Sequence, residues 1–449
     1  MIGKQNIVKL LKKIIADSKL KNIETLYIGS DSGLTRFANS TIHQNVAEQD
    51  SKVFFKAVID QRMGVSSTNM LEIESLTEAL QNAIDIAERS RPNPYFKGLA
   101  RPAKYSRINT FDPVTARTSP ARRAAIVRKI CNKAVKEGLT ASGAMATSAS
   151  EIAIVNSNGL VAYQPLSSAS INVIISSEDS SGYSQGLSRK ITNIDFDLLS
   201  GNAIGKCLLS KNPRGIEPGR YDVILEPVAV ANLLEWLSFT AFGAMAYHDN
   251  TSFLSAKKGK KIVADSISIY DDGLNGKGIA FPFDFEGIPK KKVFFIKRGI
   301  AGLPAYDLTT GVRNKTKSTG HGMPPGNVGG PIPFNIYMAG GNTPLKKLIS
   351  SIEKGILVTR FHYINGFLDT PNALFTGMTR DGTFLIENGK IAHGIKNLRF
   401  TESMVTAFSN VSAISQETEL VTSWWSDIGC VSAPALHIRN FNFSGKTEF

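Results

Sequence analysis

The sequence predicts an α+β protein with an N-terminal α/β region that contains an internal duplication and a C-terminal, mainly antiparallel, barrel-like β domain. Helix-type and strand-type hydrophobic patterns alternate over residues 1–210, whereas short strands and Gly/Pro turns dominate from residue 211 onward. The 449 residues, 42% of them hydrophobic, suffice for the cores of two or three domains. We therefore divide the chain into residues 1–210, with similar halves of about 1–90 and 119–210, and residues 211–449.

The first half begins with an amphipathic helix, followed by four short strands and a second helix. Apolar residues recur at helical spacing over residues 5–19. The polar segment Ser30–Gly33 predicts a tight hairpin turn. Ser75 and Glu78 form an S-x-x-E capping pattern at the start of a helix predicted over residues 76–89. The predicted strands are Thr25–Ile28, Leu34–Phe37, Thr41–Val46 and Lys52–Ile59.

The same order of elements restarts after a proline-rich connection over residues 90–118. Ser119 and Pro120 predict a helix N-terminus, and Gly138 predicts its end. Residues 28–37 align with residues 154–163 at an offset of 126, and the Asn-Ala-Ile sequences at 82–84 and 202–204 align at an offset of 120. These matches indicate the duplication. Strands are predicted at Glu151–Val155, Leu160–Gln164 and Ser170–Ser176.

The C-terminal part opens with an apolar strand and a strongly apolar helix. The strand ends at Pro227, and apolar residues at helical spacing predict one helix that continues to His248. Glu235 is the one ionisable residue on this helix before His248. Residues 318–330 are rich in Gly and Pro and predict a long loop, a type of segment that often carries function. Further strands are predicted at Lys261–Val263, Ser266–Tyr270, Lys292–Lys297, Ile356–His362, Gly382–Ile386 and Ala435–Phe441.

Composition favours a cytoplasmic globular protein. The net charge of +14 is compatible with nucleic-acid binding, but the Lys and Arg residues are scattered and lack interleaved aromatic residues, which favours an ordinary basic surface. The three cysteines are far apart, as expected in a reducing compartment. We identify no signal-peptide pattern and no apolar run long enough to span a membrane.

Motifs for catalysis and for metal binding are weak. The histidines lie at least 31 residues apart and no HExxH or HExxxH pattern occurs, so a metal site would have to be built from distant residues. Ser184 has G-x-S-x-G spacing, but a polar run precedes it, which favours a polar loop over a nucleophile elbow. Asp284 and Glu286 are expected to stabilise a turn, and Cys430 is expected to be a buried thiol.

Two segments supply candidate binding residues. Arg36, Asn39, His43 and Gln44 place many polar groups on one predicted hairpin, although a solvated sheet face would show the same pattern. His321, in the glycine-rich loop, is equally compatible with a ligand contact and with a mobile surface position.

An ordered set of short segments resembles the TldD/PmbA family (peptidase family U62, once described as modulators of DNA gyrase). Each segment alone is weak, but their order is specific and they cover essentially the whole chain. The matching segments are RFANSTIHQN (36–45), NSNG (156–159), SFLSAKKGKKI (252–262), YDDG (270–273), FPFDFEGIPKKKVFFIKRG (281–299), AYDLTT (305–310), STGHG (318–322) and GTFLIENGKI (382–391).

The resemblance implies a two-subunit metallopeptidase in which a TldD-type chain carries an HExxxH zinc helix and a cysteine ligand. The corresponding helix here, Leu233–Thr240, has no imidazole, and Cys430 lies too close to the C-terminal strand to match that cysteine. The chain therefore resembles the TldE/PmbA-type subunit, with no catalytic or metal-binding residues of its own. Residues 369–383 depart from familiar TldE chains, which suggests a divergent branch.

On this basis we expect a non-catalytic subunit that pairs with a TldD-like chain, which would hold the zinc, or with itself, and that shapes a chamber for unfolded peptides. Such peptides are often held by pairing with a sheet edge, which the C-terminal domain could supply. The alternatives are a nucleic-acid or gyrase-associated modulator and a homodimer that binds peptides without cleaving them. The candidate chamber residues are Arg36, Asn39, His43, Gln44, Glu235, Ser318, Thr319 and His321.

Overall fold

The computed structural model describes residues 1–423 and 428–447. The N-terminal part contains five helices and six strands in an order that repeats. They are α1 (Lys4–Asp17), β1 (Asn22–Ala38), β2 (Thr41–Ile59), β3 (Arg62–Thr68), α2 (Ile73–Arg89), α3 (Pro113–Ala116), α4 (Pro120–Lys136), β4 (Thr140–Asn156), β5 (Val161–Ser176), β6 (Ser181–Ser188) and α5 (Phe196–Leu209).

The six strands form one antiparallel sheet in the order β3-β2-β1-β4-β5-β6. The two halves meet at its centre, where β1 pairs with β4 from Glu24–Asn156 to Phe37–Gly143. Helices α1 and α2 pack on the first half around Tyr27 and Phe55, and α4 and α5 pack on the second around Met145 and Val173. The predicted succession of helix, strands and helix therefore occurs twice.

The strands of this sheet are longer than the sequence predicted. β1 runs without interruption through Ser30–Gly33, so the hairpin turn predicted there is wrong, and β2 likewise joins two predicted strands. Gly33 leaves space inside β1 for the buried guanidinium of Arg123, which a Cβ at this position would overlap. The alignment at an offset of 126 is wrong as well, since Gly33 lies in a strand and Gly159 in a turn with φ 84°.

Two predicted helix starts have different outcomes. The Ser119 side chain accepts a hydrogen bond from the Arg122 N–H at 3.2 Å, which confirms the N-cap of α4. The capping box at Ser75 is wrong, because α2 begins earlier, after Glu72, and Ser75 lies inside the helix.

The C-terminal part builds a second, mixed sheet around the helix that follows its first strand. The elements are β7 (Gly219–Leu225), α6 (Pro227–Ala241), α7 (Ala244–His248), β8 (Ile269–Asp271), β9 (Val293–Lys297), β10 (Ile300–Ala301), α8 (Leu308–Arg313), β11 (Asn335–Met338), α9 (Leu345–Ser350), β12 (Lys354–Asp369), β13 (Leu374–Glu387), β14 (Lys390–Gly394), β15 (Leu398–Ser403), α10 (Met404–Ser409), β16 (Val411–Thr422) and β17 (Cys430–Lys446).

Five strands close into a ring, since β17 pairs with β15 and with β7, and β13 and β12 complete the circuit. The barrel-like prediction is therefore confirmed, although β7–β12 and β11–β17 are parallel pairs. Residues 261–263, predicted to be a strand, contribute only an isolated bridge from Lys261. Within residues 1–423 and 428–447, no helix is long and apolar enough to cross a membrane.

The apolar helix is shorter than predicted. α6 ends at Ala241, and Gly243 separates it from α7. A Cβ at Gly243 would overlap the carbonyl oxygen of Pro331, so the chain turns where another segment approaches its backbone closely. Every residue of α6 except Asn232 and Phe239 is buried, which places this helix in the centre of the C-terminal core.

Candidate functional site

Three polar side chains of α6 make local hydrogen bonds. The Ser423 hydroxyl donates to Glu235 Oε1 at 2.5 Å, and Glu235 is 4% exposed. The hydroxyl of Ser238 donates to the Pro333 carbonyl at 2.8 Å, and that of Thr240 to the Trp236 carbonyl at 2.8 Å. Besides the amide of Asn232, the helix thus offers one carboxylate and two hydroxyls, all of them close to other protein groups.

This set of donors does not fit a zinc ion, which proteins bind through imidazoles, thiolates and carboxylates. Within the described ranges, no group of three His, Cys, Asp or Glu residues is placed to hold a metal. His248 contacts the Tyr306 hydroxyl at 3.0 Å, and Cys430 accepts a hydrogen bond from the Ile279 N–H at 3.4 Å. We therefore derive no zinc-dependent step from the residues of this chain.

A cavity of about 510 Å³ lies beside α6, between the two sheets. Asn232 and Trp236 face it from α6, and the Oδ1 atom of Asn232 is buried without a hydrogen-bond partner among the described residues. Arg360, on β12, donates to Asp381 at 2.7 Å and lies over the ring of Tyr183, 4.7 Å from its centroid. The cavity therefore combines an amide, a guanidinium and aromatic surfaces, which suits a ligand with both polar and apolar groups.

His362 also lines this cavity, beside Arg360. Desolvation lowers the pKa of His362, and the positive charges of Arg380 and Arg360 lower it further. A neutral imidazole here can accept or donate a hydrogen bond at neutral pH.

A buried ionic cluster joins the N-terminal sheet to the segment after β8. Lys56 Nζ lies 3.3 Å from Glu24 Oε1 and 3.6 Å from Glu286 Oε1. Desolvation raises the pKa of Glu286 to about 8 despite the opposing charge of Lys56, with Asp284 adding to the rise. Asp284 accepts hydrogen bonds from the N–H groups of Glu286, Ile288 and Gly322, so its expected role in a turn is confirmed.

The glycine-rich loop is packed where it carries its candidate residues. His321 is 1% exposed, so the mobile surface position that we considered for it is wrong. Its Nδ1 lies 2.9 Å from the Thr319 hydroxyl and its Nε2 lies 3.2 Å from Asp271 Oδ1. Burial lowers the pKa of His321, with Lys290 adding to the effect against the charge of Asp271. Ser318 donates to the Tyr306 carbonyl at 3.1 Å, which ties the loop to the chain before α8.

The other four candidates lie together near the β1–β2 turn. Arg36 donates to Gln44 Oε1 at 3.3 Å, and Asn39 adopts a φ of 51° at the turn itself. Arg36, Asn39 and His43 are exposed. None of the eight candidate residues lines the 510 Å³ cavity, and their role in a chamber stays a prediction.

Two further sequence expectations are resolved by the structure. Ser184 lies within β6 rather than in a polar loop, so that prediction is wrong. Cys430 is fully buried, which confirms the expected buried thiol, and burial raises the pKa of this thiol to about 11.

Sequence reasoning missed the residues of the cavity beside α6, because they come from three separate elements: Tyr183 from β6, Asn232 from α6, and Arg360 and His362 from β12. Asn232 carried an available signal: it is an amide in a strongly apolar helix, and such a residue often faces a cavity or a partner group.

Comparisons with known proteins agree with this architecture. Residues 218–445 match the model of the PmbA/TldA metallopeptidase C-terminal domain, and residues 24–87 match the model of PmbA/TldA metallopeptidase domain 1. A metalloprotease TldD homolog from Buchnera aphidicola is 24% identical over 409 residues, which cover 85% of this chain and 82% of that protein.

Solved structures show the same fold. TldE from Thermococcus kodakarensis superposes with a TM-score of 0.88 at 21% identity, covering 98% of this chain and 99% of TldE. A Thermotoga maritima protein described as a modulator of a DNA gyrase gives a TM-score of 0.86 at 19% identity, with 97% and 99% coverage. Because the C-terminal domain model alone spans more than half of its residues, this chain belongs to the TldD/PmbA family of metallopeptidase-like proteins.

Proposed function

We propose that this chain is a non-catalytic, TldE/PmbA-type subunit that supports a TldD-type zinc metallopeptidase by shaping a chamber for unfolded peptides. The observation that carries the proposal is the chemistry of α6. At the position where the family's catalytic subunit has its zinc helix, this helix presents Glu235, whose carboxylate accepts a hydrogen bond from Ser423. Without a bound metal, no water is acidified toward neutral pH for attack on an amide.

Two features support a role in binding peptides. The cavity beside α6 combines apolar walls with the side chains of Asn232 and Arg360, which can hydrogen-bond to peptide groups. In addition, residues 41–52 of β2 pair only with β1 among the described residues, because β3 pairs with β2 from Val53 onward. Residues 45–50 are exposed, so this edge can accept an extended strand. This edge lies in the N-terminal sheet, whereas the sequence predicts one in the C-terminal domain.

The test is metal content and peptidase activity, measured on the purified chain alone and after mixing with a TldD-type chain. We expect substoichiometric zinc and no cleavage of unstructured peptides by the lone chain, and cleavage after mixing. The mixture should lose activity when a zinc chelator is added, whereas the urea midpoint of the lone chain should not change with the chelator.

Other outcomes have definite meanings. Stoichiometric zinc with chelator-sensitive cleavage by the lone chain would refute the non-catalytic assignment. A stable homodimer that binds peptides, and that leaves the activity of a TldD-type chain unchanged, would replace the supporting-subunit function with independent peptide binding.

A further inference from the structure

A second cleft, of about 670 Å³, lies where the N-terminal half-sheet meets the C-terminal barrel. It is walled by α5 and β6 on one side and by α9, β12, β13 and β16 on the other, and its volume is in the range of small-molecule and peptide sites. Its walls are largely apolar: Leu198, Leu199, Leu345, Ile349, Leu357 and Phe384 all line it.

The charged residues of this cleft are predominantly acidic. Asp195, Lys206, Glu226 and Glu419 line it, which gives a formal charge of −2 when all four are ionised, on a chain whose net charge is +14. Lys206 Nζ lies 2.6 Å from Glu226 Oε2, and Asp195 accepts a hydrogen bond from the Leu198 N–H at 2.9 Å. Three of the four groups therefore already have partners.

Glu419 is the exception. Its side chain is exposed, and it makes no hydrogen bond or ion pair within residues 1–423 and 428–447. Although Glu419 is accessible to solvent within the cleft, the surrounding walls raise its pKa by desolvation, the charge of Glu226 raises the pKa further, and Lys206 acts in the opposite direction. A ligand cation next to Glu419 would relieve this repulsion.

Two further features show that the cleft has room and hydrogen-bonding capacity for a ligand. Thr359 is 1% exposed, lines the cleft, and its hydroxyl has no hydrogen-bond partner among the described residues. On α5, a Cβ at Gly201 or Gly205 would meet no atom within 4 Å, so the helix leaves open space above its backbone. A polypeptide backbone could approach α5 at these two glycines.

We propose that this cleft binds the amino-terminal end of an apolar peptide, with the ammonium group against Glu419 and the side chains along the leucine-lined walls. The proposal rests on the peptide-binding function above and names its ligand class. An anionic headgroup is disfavoured by the acidic lining, whereas an ammonium group gains charge-assisted hydrogen bonds in a partly desolvated site.

The experiment uses the full chain without a partner and two probes, tri-leucine amide with a free amino terminus and its N-acetylated twin. Isothermal titration calorimetry at pH 7 should show that the free-amine peptide binds about ten-fold or more tightly, as expected for a hydrogen bond to a charged group. Glu419→Gln should remove this preference, whereas Glu387→Gln, an exposed carboxylate on β13 outside the cleft, should keep it.

A steric variant tests the location independently. Gly205→Leu places its Cβ where no atom lies within 4 Å and extends the side chain into the cleft, so we expect it to leave folding intact and weaken binding of both peptides. Equal binding of the two probes, retention of the preference in Glu419→Gln, or no binding of either probe would each overturn the proposal. These outcomes are separate from the mixing experiment, because they require neither metal nor a partner chain.

Discussion

At the scale of single residues, two buried carboxyl groups share one buried cation. Lys56 lies between Glu24 and Glu286, and all three side chains are largely buried. One positive charge balances one carboxylate, so the second is favoured in its neutral form. Desolvation is the main reason why the pKa of Glu286 is raised to about 8, and the charge of Glu24 adds a small part of the rise.

The raised pKa predicts a pH dependence of stability. The pKa of Glu286 rises from its ordinary value of 4.5 to about 8 in the folded protein. Between these two values the folded state therefore keeps a proton that the unfolded chain releases. The free energy of unfolding should therefore fall as pH increases from about 5 to 8. Glu286→Gln should reduce this fall by about 3–4 kcal/mol, since about 2.5 units of the pKa difference are titrated between pH 5 and 8 and one unit corresponds to about 1.4 kcal/mol.

Urea unfolding at pH 5, 6.5 and 8 measures this difference. Glu78→Gln, which changes an exposed carboxylate on α2, is the control and should follow the parent protein at every pH. Parallel pH profiles for the parent and Glu286→Gln would show that Glu286 is ionised in the folded protein.

At the scale of elements, hydrophobic periodicity predicts the helices and strands well, whereas two boundaries are mispredicted at glycines. The order of helices and strands follows from hydrophobic periodicity, and most were placed correctly. The turn predicted at Ser30–Gly33 and the helix predicted to continue to His248 are both wrong, because glycine serves turns as well as close approaches between segments. Gly33 accommodates Arg123 from α4, and Gly243 accommodates Pro331, contacts between segments that local sequence does not encode.

The candidate site was predicted less well than the elements, because it depends on contacts between segments that are distant in sequence. Tyr183, Asn232 and Arg360 line one cavity but are far apart in the chain, so no spacing links them. The glycine-rich loop, by contrast, was conspicuous in sequence, yet it buries His321 against Asp271 instead of exposing it.

A matched pair of substitutions tests the role of the break after α6. Gly243→Ala places a methyl group on the carbonyl of Pro331 and should destabilise the protein by about 1–3 kcal/mol. Gly201→Ala lies inside α5, where a Cβ meets nothing within 4 Å, and should stabilise by about 0.5–1 kcal/mol through helix propensity. Urea midpoints give both values. A neutral Gly243→Ala would mean that the segment at Pro331 moves aside readily.

At the scale of the whole molecule, the repeated order of elements extends to details of packing. Gly64 on β3 faces Ala83 and Ala87 of α2, and Gly182 on β6 faces Ala203 and Cys207 of α5. In both halves an outer strand lets a helix backbone approach closely at a glycine. The first strand of each half begins 118 positions apart, at Asn22 for β1 and at Thr140 for β4. Gly64 and Gly182 are also 118 positions apart. We infer from this correspondence that the halves arose by duplication.

If the halves are equivalent in packing, matched substitutions should cost similar amounts. A Cβ at Gly64 would overlap the Ala83 carbonyl, and one at Gly182 the Ala203 carbonyl, so Gly64→Ala and Gly182→Ala should each destabilise by about 1–3 kcal/mol. Gly205→Ala on α5, where a Cβ meets open space, should not destabilise the protein.

Gly64 and Gly182 contact separate hydrophobic cores. The double variant should therefore lose stability equal to the sum of the two single losses, to within about 0.5 kcal/mol. Urea unfolding of the four variants would decide the matter: a tolerated substitution at one glycine but not at the other would show that the two halves keep the same order of elements without the same packing.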